Sequence, residues 1–229
     1  MKLIVATHNE GKLAEIRRIL VQDLGADAER IELVSAGSMN LPDPVETGVT
    51  FQENALLKAR FVASLTGLPA LADDSGLIVD VMGNAPGILS ARWAGHHGDD
   101  EANNRLLLAQ IADIPDEKRT ARFRCAAALA VPDAAVTSST DNATASDGNY
   151  AIASETVQIG EMTGVIIREP RGDNGFGYDP LFVPDDQPDN ADRPLTSAEM
   201  TSAQKNAISH RGKAITAIVP AVEQLLHRE

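Results

Sequence analysis

The sequence predicts an α/β protein, and three patterns carry that prediction. The chain opens as strand, polar turn and helix. A run further on alternates apolar and polar residues with the period of a strand. Two longer segments repeat their apolar residues with the period of a helix. At 229 residues the chain suits one large α/β domain or two small lobes around a cleft, and with 43% hydrophobic residues it can bury a core.

Leu3 to Ala6 is a short apolar run that reads as a buried strand. Thr7-His8-Asn9-Glu10-Gly11-Lys12 follows as a polar turn, and Leu13, Ile16, Ile19 and Leu20 then mark one side of a helix. Ile31 to Ser35 reads as a second strand. A loop holding Pro42, Pro44 and Gly48 leads to a helix from about Phe51 to Leu65, with Leu57, Phe61 and Leu65 expected to face the core. Two apolar runs between Pro69 and Val81 flank Asp73-Asp74-Ser75-Gly76, which places the acidic pair at a strand end or tight turn. Asp99 to Ile111 is helical. Phe123, Cys125, Ala127, Leu129 and Val131 alternate as a half-buried strand, with Arg122 and Arg124 on the opposite face. Residues 132 to 150, rich in Ser, Thr, Asp, Asn and Ala, read as a surface loop or insertion. Strands return at Ile152 to Ile159 and Val165 to Ile167. Gly172 to Pro180 is a glycine-rich loop before a short strand at Leu181 to Val183. A last helix spans about Lys205 to His227, and Pro220 is expected to kink it or start a new segment.

Composition narrows the function classes. Formal net charge is −13, a field that repels nucleic acid and anionic membranes and requires local cations or a divalent metal at any phosphate site. The single cysteine, Cys125, rules out an internal disulfide and suits a reducing cytoplasm. No apolar run has the length of a membrane span, and the N-terminal one is too short for a signal peptide.

Five constellations carry possible chemistry, each with a plainer alternative. In the first turn, backbone N–H groups at a helix mouth suit a phosphate, with Thr7, Asn9 and Lys12 adding side-chain contacts; alternatively Asn9 only caps the helix and Lys12 is solvated. Asp73 and Asp74, with Glu46 in the Val45 to Gly48 loop, supply hard oxygen ligands suited to Mg²⁺; alternatively they make a solvated turn. Asn54 and Lys58 share a helix face, where Lys58 can reach a phosphate or pair with an acid. Phe176, between Gly175 and Gly177 and followed by Tyr178, Asp179 and Pro180, offers a ring for stacking or sits in a tight turn. Lys205, His210 and Arg211 place donor-rich groups at the last helix, or alternatively make a solvated helix start, although cations at a helix N-terminus are unfavourable. Donors accept the 6-oxo group of a deaminated purine and oppose the 6-amino group of adenine.

Taken together these segments resemble the inosine triphosphate pyrophosphatase family. The matching motifs are Ala6 to Lys12, Glu46-Thr47-Gly48 with Phe51 to Ala55 and Lys58-Ala59, Ala72 to Leu77, Pro86-Gly87-Ile88 with Ser90-Ala91-Arg92, Gly175 to Pro180, and Ser209-His210-Arg211. They fall in the family's order over nearly the whole chain.

The resemblance implies a single domain over residues 1–229: an elongated central mixed sheet with flanking helices and two lobes around a nucleotide-binding cleft. It implies hydrolysis of deaminated purine nucleoside triphosphates (ITP, dITP and XTP) to monophosphate and pyrophosphate, with Mg²⁺ as cofactor, in a cytoplasmic homodimer. Thr7, His8, Asn9, Glu10, Gly11 and Lys12 then match the phosphate turn. Asp74 matches the general base and a metal ligand, Glu46 a second metal carboxylate and Asp73 its neighbouring support. Ser75 and Lys58 match phosphate contacts. Phe176, Gly177, Tyr178, Asp179, Lys205, His210 and Arg211 match the base pocket. His8 stands where many relatives carry a small residue, Gln204 where an acid is common, and the segment 133–153 looks longer than usual. Pyrophosphatases of modified or pyrimidine nucleotides, and non-catalytic nucleotide sensors, are the competing readings.

Overall fold

A computed structural model describes residues 1–137, 150–189 and 191–227 of the chain. Among them, six strands form one mixed sheet in the order β2-β1-β3-β4-β5-β6. In chain order the elements are β1 (Lys2–Val5), α1 (Glu10–Leu24), β2 (Glu32–Ser35), α2 (Phe51–Thr66), β3 (Ala70–Val79), α3 (Asp100–Gln110), β4 (Thr120–Thr137), β5 (Tyr150–Ile166), β6 (Phe182–Pro184), α4 (Ser202–Ile208) and α5 (His210–Leu226), with short 3-10 turns between some of them. The α/β class expected from periodicity is therefore present. No described helix is long and apolar enough to cross a membrane.

The chain divides into two compact units, the first made of Met1–Asp74, Ala126–Ile159 and Ala214–Glu229. Here β1 pairs in parallel with β2 and with β3, joined through crossovers that carry α1 and α2. Leu3, Ile4 and Val5 are fully buried, as a strand inside a parallel sheet requires. The α2 face that is buried is not the one expected. Leu57, Phe61 and Leu65 are only partly buried, while Ala55, Ala59, Val62 and Ala63 are inside. Alanines four residues apart make a flat strip, which lets the helix backbone approach the buried strands closely, and α2 does touch β1.

The second unit comprises Ser75–Cys125 and Gly160–Lys213. Its core gathers Leu77, Leu107, Phe123, Met162 and Phe182, with Phe123 and Phe182 meeting edge to face at 4.9 Å between centroids. β5 pairs antiparallel with β6 through Gly164, Val165 and Ile166.

Further sequence expectations need correction. The strand expected to be half-buried is buried on both faces from Cys125 to Ala130, because alanines fill its second face. The acidic pair lies in the middle of β3, not at a strand end or turn. Residues 132–137 continue β4 and residues 150–153 begin β5, so the loop expected there is shorter; its remainder, 138–149, lies outside the described residues. The strands expected at 152–159 and 165–167 are one element, because strand pairing needs backbone partners and not apolar side chains. The last helix is two helices. Ser209 turns extended at ψ 142°, and its Oγ accepts the Gly212 N–H at 2.9 Å, capping α5. Pro220 lies inside α5 and starts no new segment. It stands on the exposed side with Thr216, whose carbonyl loses its helical donor to the proline, so water can solvate that group.

Gly164 fixes the seam between β5 and β6. A Cβ there would sit 2.2 Å from the Val183 carbonyl oxygen and 2.7 Å from the Phe182 ring. Gly164→Ala is therefore expected to destabilise the protein by about 1–3 kcal/mol in chemical denaturation. A change below about 0.5 kcal/mol would show that this seam has slack.

Candidate active site

In the first unit, the turn after β1 is organised by its own side chains. Asn9 is the N-cap of α1, and its Oδ1 accepts the N–H groups of Gly11 at 2.9 Å and Lys12 at 3.2 Å. Thr7 Oγ1 accepts the Asn9 N–H at 3.1 Å. The capping role considered for Asn9 is thus present, and a phosphate at this helix mouth would compete with Asn9 for those two donors. Glu10 points elsewhere: its Oε1 accepts the Ser35 hydroxyl at 2.9 Å. His8 Nε2 lies 3.2 Å from Asp43, both of them largely exposed. The plain solvated reading of Lys12 does not hold, since its Nζ is 3.3 Å from the buried Asp73 carboxylate.

Adjacent residues of a strand point to opposite faces, and each carboxylate of the pair meets its own lysine. Asp73 has Lys12. Asp74 has Lys58, whose Nζ donates to Asp74 Oδ1 at 3.0 Å and to Glu46 Oε1 at 2.8 Å. This explains why an unbroken strand tolerates two consecutive acids. Asp74 also accepts from Asn54 Nδ2 at 3.4 Å. Burial pushes the Asp74 carboxyl above the ordinary carboxylate range, against the opposing pull of Lys58. Burial also works against the Lys58 charge, but Asp74, Glu46 and Asp73 outweigh it and raise the ammonium above its usual pKa.

Among the described residues, no group of three or more Asp, Glu, His or Cys side chains is arranged as a ready metal cage. Glu46 and Asp74 nonetheless both reach one ammonium, so their oxygens converge on a cation. Mg²⁺ is commonly held by one or two carboxylates plus substrate phosphates, and this donor set fits that mode.

In the second unit, the loop before β6 is built around Asp179. Its Oδ2 accepts the Phe176 N–H at 3.0 Å and Lys205 Nζ at 2.5 Å. Gly175 has φ +80°, and a Cβ on it would lie 2.1 Å from that same oxygen, so only glycine fits. Gly177 is held at both ends: its N–H donates to Asp100 at 2.6 Å, and its carbonyl accepts from Asn104 at 2.9 Å. Tyr178 is buried, with its hydroxyl donating to the Ser90 carbonyl at 2.9 Å, and burial together with Asp100 raises its pKa. Phe176 instead stands 66% exposed, with Lys205 Nζ 5.4 Å from the ring centroid. An exposed ring carrying a cation at its face is a surface for a planar, electron-rich ligand. His210 and Arg211 open α5 and are largely buried, His210 stacked on Phe123 at 5.1 Å. Ser75 lies in β3 beside Asp74 in sequence.

The structure thus brings Lys12 to Asp73, Lys58 to Glu46 and Asp74, and Lys205 to Asp179 and Phe176. Sequence reading missed Asp100 and Asn104 as the supports of Gly177. Asp99 takes the α3 N-cap, accepting the Ala102 N–H at 3.0 Å, which leaves Asp100 available. Two acids at a helix start are an ordinary capping signal, so nothing in the sequence separates their roles.

A mixed-sheet α/β protein with an acid–lysine cluster on one parallel strand and an aromatic loop backed by a cation is the class that fold and site define. A family model described as the Ham1 family matches residues 3–221, and the chain belongs to that family. It is 70% identical over a 252-residue alignment to a protein of Bifidobacterium longum subsp. infantis named dITP/XTP pyrophosphatase, covering 99% of this chain and all of that one. A solved structure from Mycobacterium abscessus, called a nucleoside-triphosphatase and dITP/XTP pyrophosphatase, is 44% identical with a TM-score of 0.69, covering 96% of this chain and all of its own. A HAM1 protein from Coxiella burnetii is 36% identical with a TM-score of 0.76, covering 98% and 99% of the two chains.

Lys58→Met tests the charge balance of the cluster. Without the lysine, the folded-state pKa of Asp74 rises further above its unfolded value, so the deficit is present at high pH and fades as pH falls through its titration. The expected loss is about 2–4 kcal/mol near pH 8, smaller near pH 4, read from denaturant midpoints at both pH values. An equal loss at both pH values would assign Lys58 a packing role only.

Proposed function

We propose that this chain is a nucleoside triphosphate pyrophosphatase that hydrolyses deaminated purine nucleoside triphosphates (dITP, XTP and ITP) to the monophosphate and pyrophosphate, clearing them from the nucleotide pool. The observation that carries the reading is Lys58 held between Glu46 and Asp74, in a chain so similar over its whole length to proteins named dITP/XTP pyrophosphatase.

The reaction is an in-line attack of water on the α-phosphorus. The new bond is P–O from water; the bond broken joins the α-phosphorus to the oxygen bridging to the β-phosphate. That oxygen leaves with the pyrophosphate. Asp74 orients the water and takes its proton, a role that suits a carboxyl whose burial makes it more basic than usual. Lys58 and Lys12 offset charge on the phosphate oxygens. Glu46 and Asp74, with Asp73 in support, would hold Mg²⁺, which when bound supplies charge neutralisation to the triphosphate and its leaving group. Thr7, His8, Asn9, Gly11 and Ser75, with the backbone N–H of Glu10 but not its carboxylate, are assigned to the phosphates.

Phe176, Gly177, Tyr178, Asp179, Lys205, His210 and Arg211 are assigned to the base. The ring stacks, and the cations donate to the 6-oxo oxygen. Adenine would set its amino hydrogens against donors that cannot accept them, a mismatch that can cost roughly 10⁴-fold in well-built sites. The same reading takes the protein as a homodimer, as the family resemblance implies, and as a cytoplasmic protein that binds neither nucleic acid nor membrane, which the −13 charge and the lone cysteine support.

A panel of ITP, dITP, XTP, ATP, GTP and dUTP, scored by pyrophosphate release, tests activity and selectivity together. The expected result is release from the three deaminated purines with Mg²⁺, at least about 100-fold less from ATP, and none with EDTA. Preference for dUTP, or activity unaffected by EDTA, would overturn the assignment. Asp74→Asn is expected to fold, with kcat reduced about 10³-fold or more; turnover within tenfold of the parent would remove Asp74 from the base role.

A further inference from the structure

We infer that Asn54 is a positioning residue for this reaction, and that its amide ties the Glu46 loop to the Asp74 carboxylate. The inference rests on the function proposed above, and the geometry that supports it is independent of that function.

Asn54 lies on α2, four residues before Lys58, and is 1% exposed. Its Oδ1 accepts the Gly48 N–H at 2.9 Å, while its Nδ2 donates to Asp74 Oδ2 at 3.4 Å. The chemistry of the neighbours fixes this orientation. A backbone N–H only donates and a carboxylate only accepts, so the reversed amide would set donor against donor and acceptor against acceptor.

The loop has little else to hold it. Val45 is 80% exposed and Val49 is 76% exposed, so the loop buries almost no apolar side chain. Polar bonds from α2 take that place. Glu53 accepts the Val49 N–H at 2.6 Å, Asn54 accepts from Gly48, and Lys58 donates to Glu46. Gly48 is pressed against the helix so closely that a Cβ would lie 2.6 Å from Asn54 Oδ1 and 2.9 Å from its backbone nitrogen. Of these groups, Asn54 and Lys58 touch both the loop and Asp74. Lys58 is a long cation assigned to the phosphate. Asn54 is short and buried, and it fixes the spacing of Glu46 from Asp74 whichever partner Lys58 takes.

The test is a double-mutant cycle in the full chain. Asn54→Leu keeps the number and branching of the side-chain heavy atoms and removes both bonds. Gly48→Ala breaks the same tether from the loop side. In nucleotide-free protein, hydrogen exchange at the residue 48 amide is expected to speed up about tenfold or more in Asn54→Leu, with the Ile4 amide of β1 unchanged as the reference for global folding. With ITP and Mg²⁺, each single variant is expected to lose about 30-fold in kcat with KM within about threefold, and the double variant to lose no more than either.

A parent-like kcat in Asn54→Leu, parent-like protection at residue 48, or losses that multiply in the double variant would overturn the inference. If either single variant also loses Ile4 protection, the other single variant decides by the same two readings. Should the parent itself release no pyrophosphate from any triphosphate, the proposed function fails, while the exchange result still judges the tether.

Discussion

The structure turns on placing carboxylates inside a strongly acidic protein. Burying an ionised acid without a partner is costly, and two in succession on one strand more so. The solution is geometric. β3 sends Asp73 and Asp74 to opposite faces, and α1 and α2 each supply one lysine. The balance is incomplete by design of the burial: desolvation still lifts the Asp74 carboxyl above its ordinary range despite Lys58. A carboxyl whose pKa is raised by folding favours its neutral form, so above that pKa it subtracts from stability. The cluster therefore does not hold the fold together, and under the proposed function the fold holds the cluster in place for reaction.

The second unit answers the same problem with Asp179. Its carboxylate is buried, yet it organises three things at once: the Lys205 ammonium, the Phe176 backbone and the left-handed turn at Gly175. Because Asp179 holds Lys205, the ammonium stays near the exposed Phe176 ring. That arrangement offers a flat apolar surface with a hydrogen-bond donor beside it. Under the proposed function, a purine with an oxygen at its six position suits that donor, and one with an amino group does not.

Much of this was legible in the sequence, because periodicity and residue chemistry speak directly to strands, helices and charged pockets. Leu3 to Val5, the helix from Phe51 and a strand through Phe123 to Leu129 appear as expected, though that strand alternates only as far as Cys125 and is buried on both faces beyond it. The acidic pair was misplaced for an instructive reason. Two charges interrupt an apolar run, and by local rules an interruption is a turn; the lysines that neutralise them come from residues 12 and 58, too far along the chain for a local rule to weigh. The inward face of α2 was misjudged because large residues were preferred over alanine, although close packing on a buried strand favours the small ones. The break at Ser209 was hidden by apolar spacing that runs on through Ile208 and Ile215. The Ser-His-Arg triplet does carry a capping serine, but a lone serine between two apolar stretches is a weak helix-start signal.

The charges of the cluster also bear on why the proposed reaction calls for a metal beside the lysines. Glu46, Asp73 and Asp74 bring three negative groups, and Lys12 and Lys58 bring two positive ones, so the cluster is close to neutral without substrate. Near-neutrality suits a folded resting state, but it gives a triphosphate little reason to approach a chain of net charge −13. A divalent cation on Glu46 and Asp74 would reverse the local sign. It would also take over the carboxylates that Lys58 now engages, leaving that ammonium to meet phosphate oxygens. On this account Lys58 serves as an internal counterion in one state and a substrate contact in the other. The exchange keeps the local charge small at each stage, provided the two carboxylates do not drift apart while the lysine changes partners. A short buried amide such as Asn54, fixed at both ends, meets that condition better than any longer side chain in the cluster.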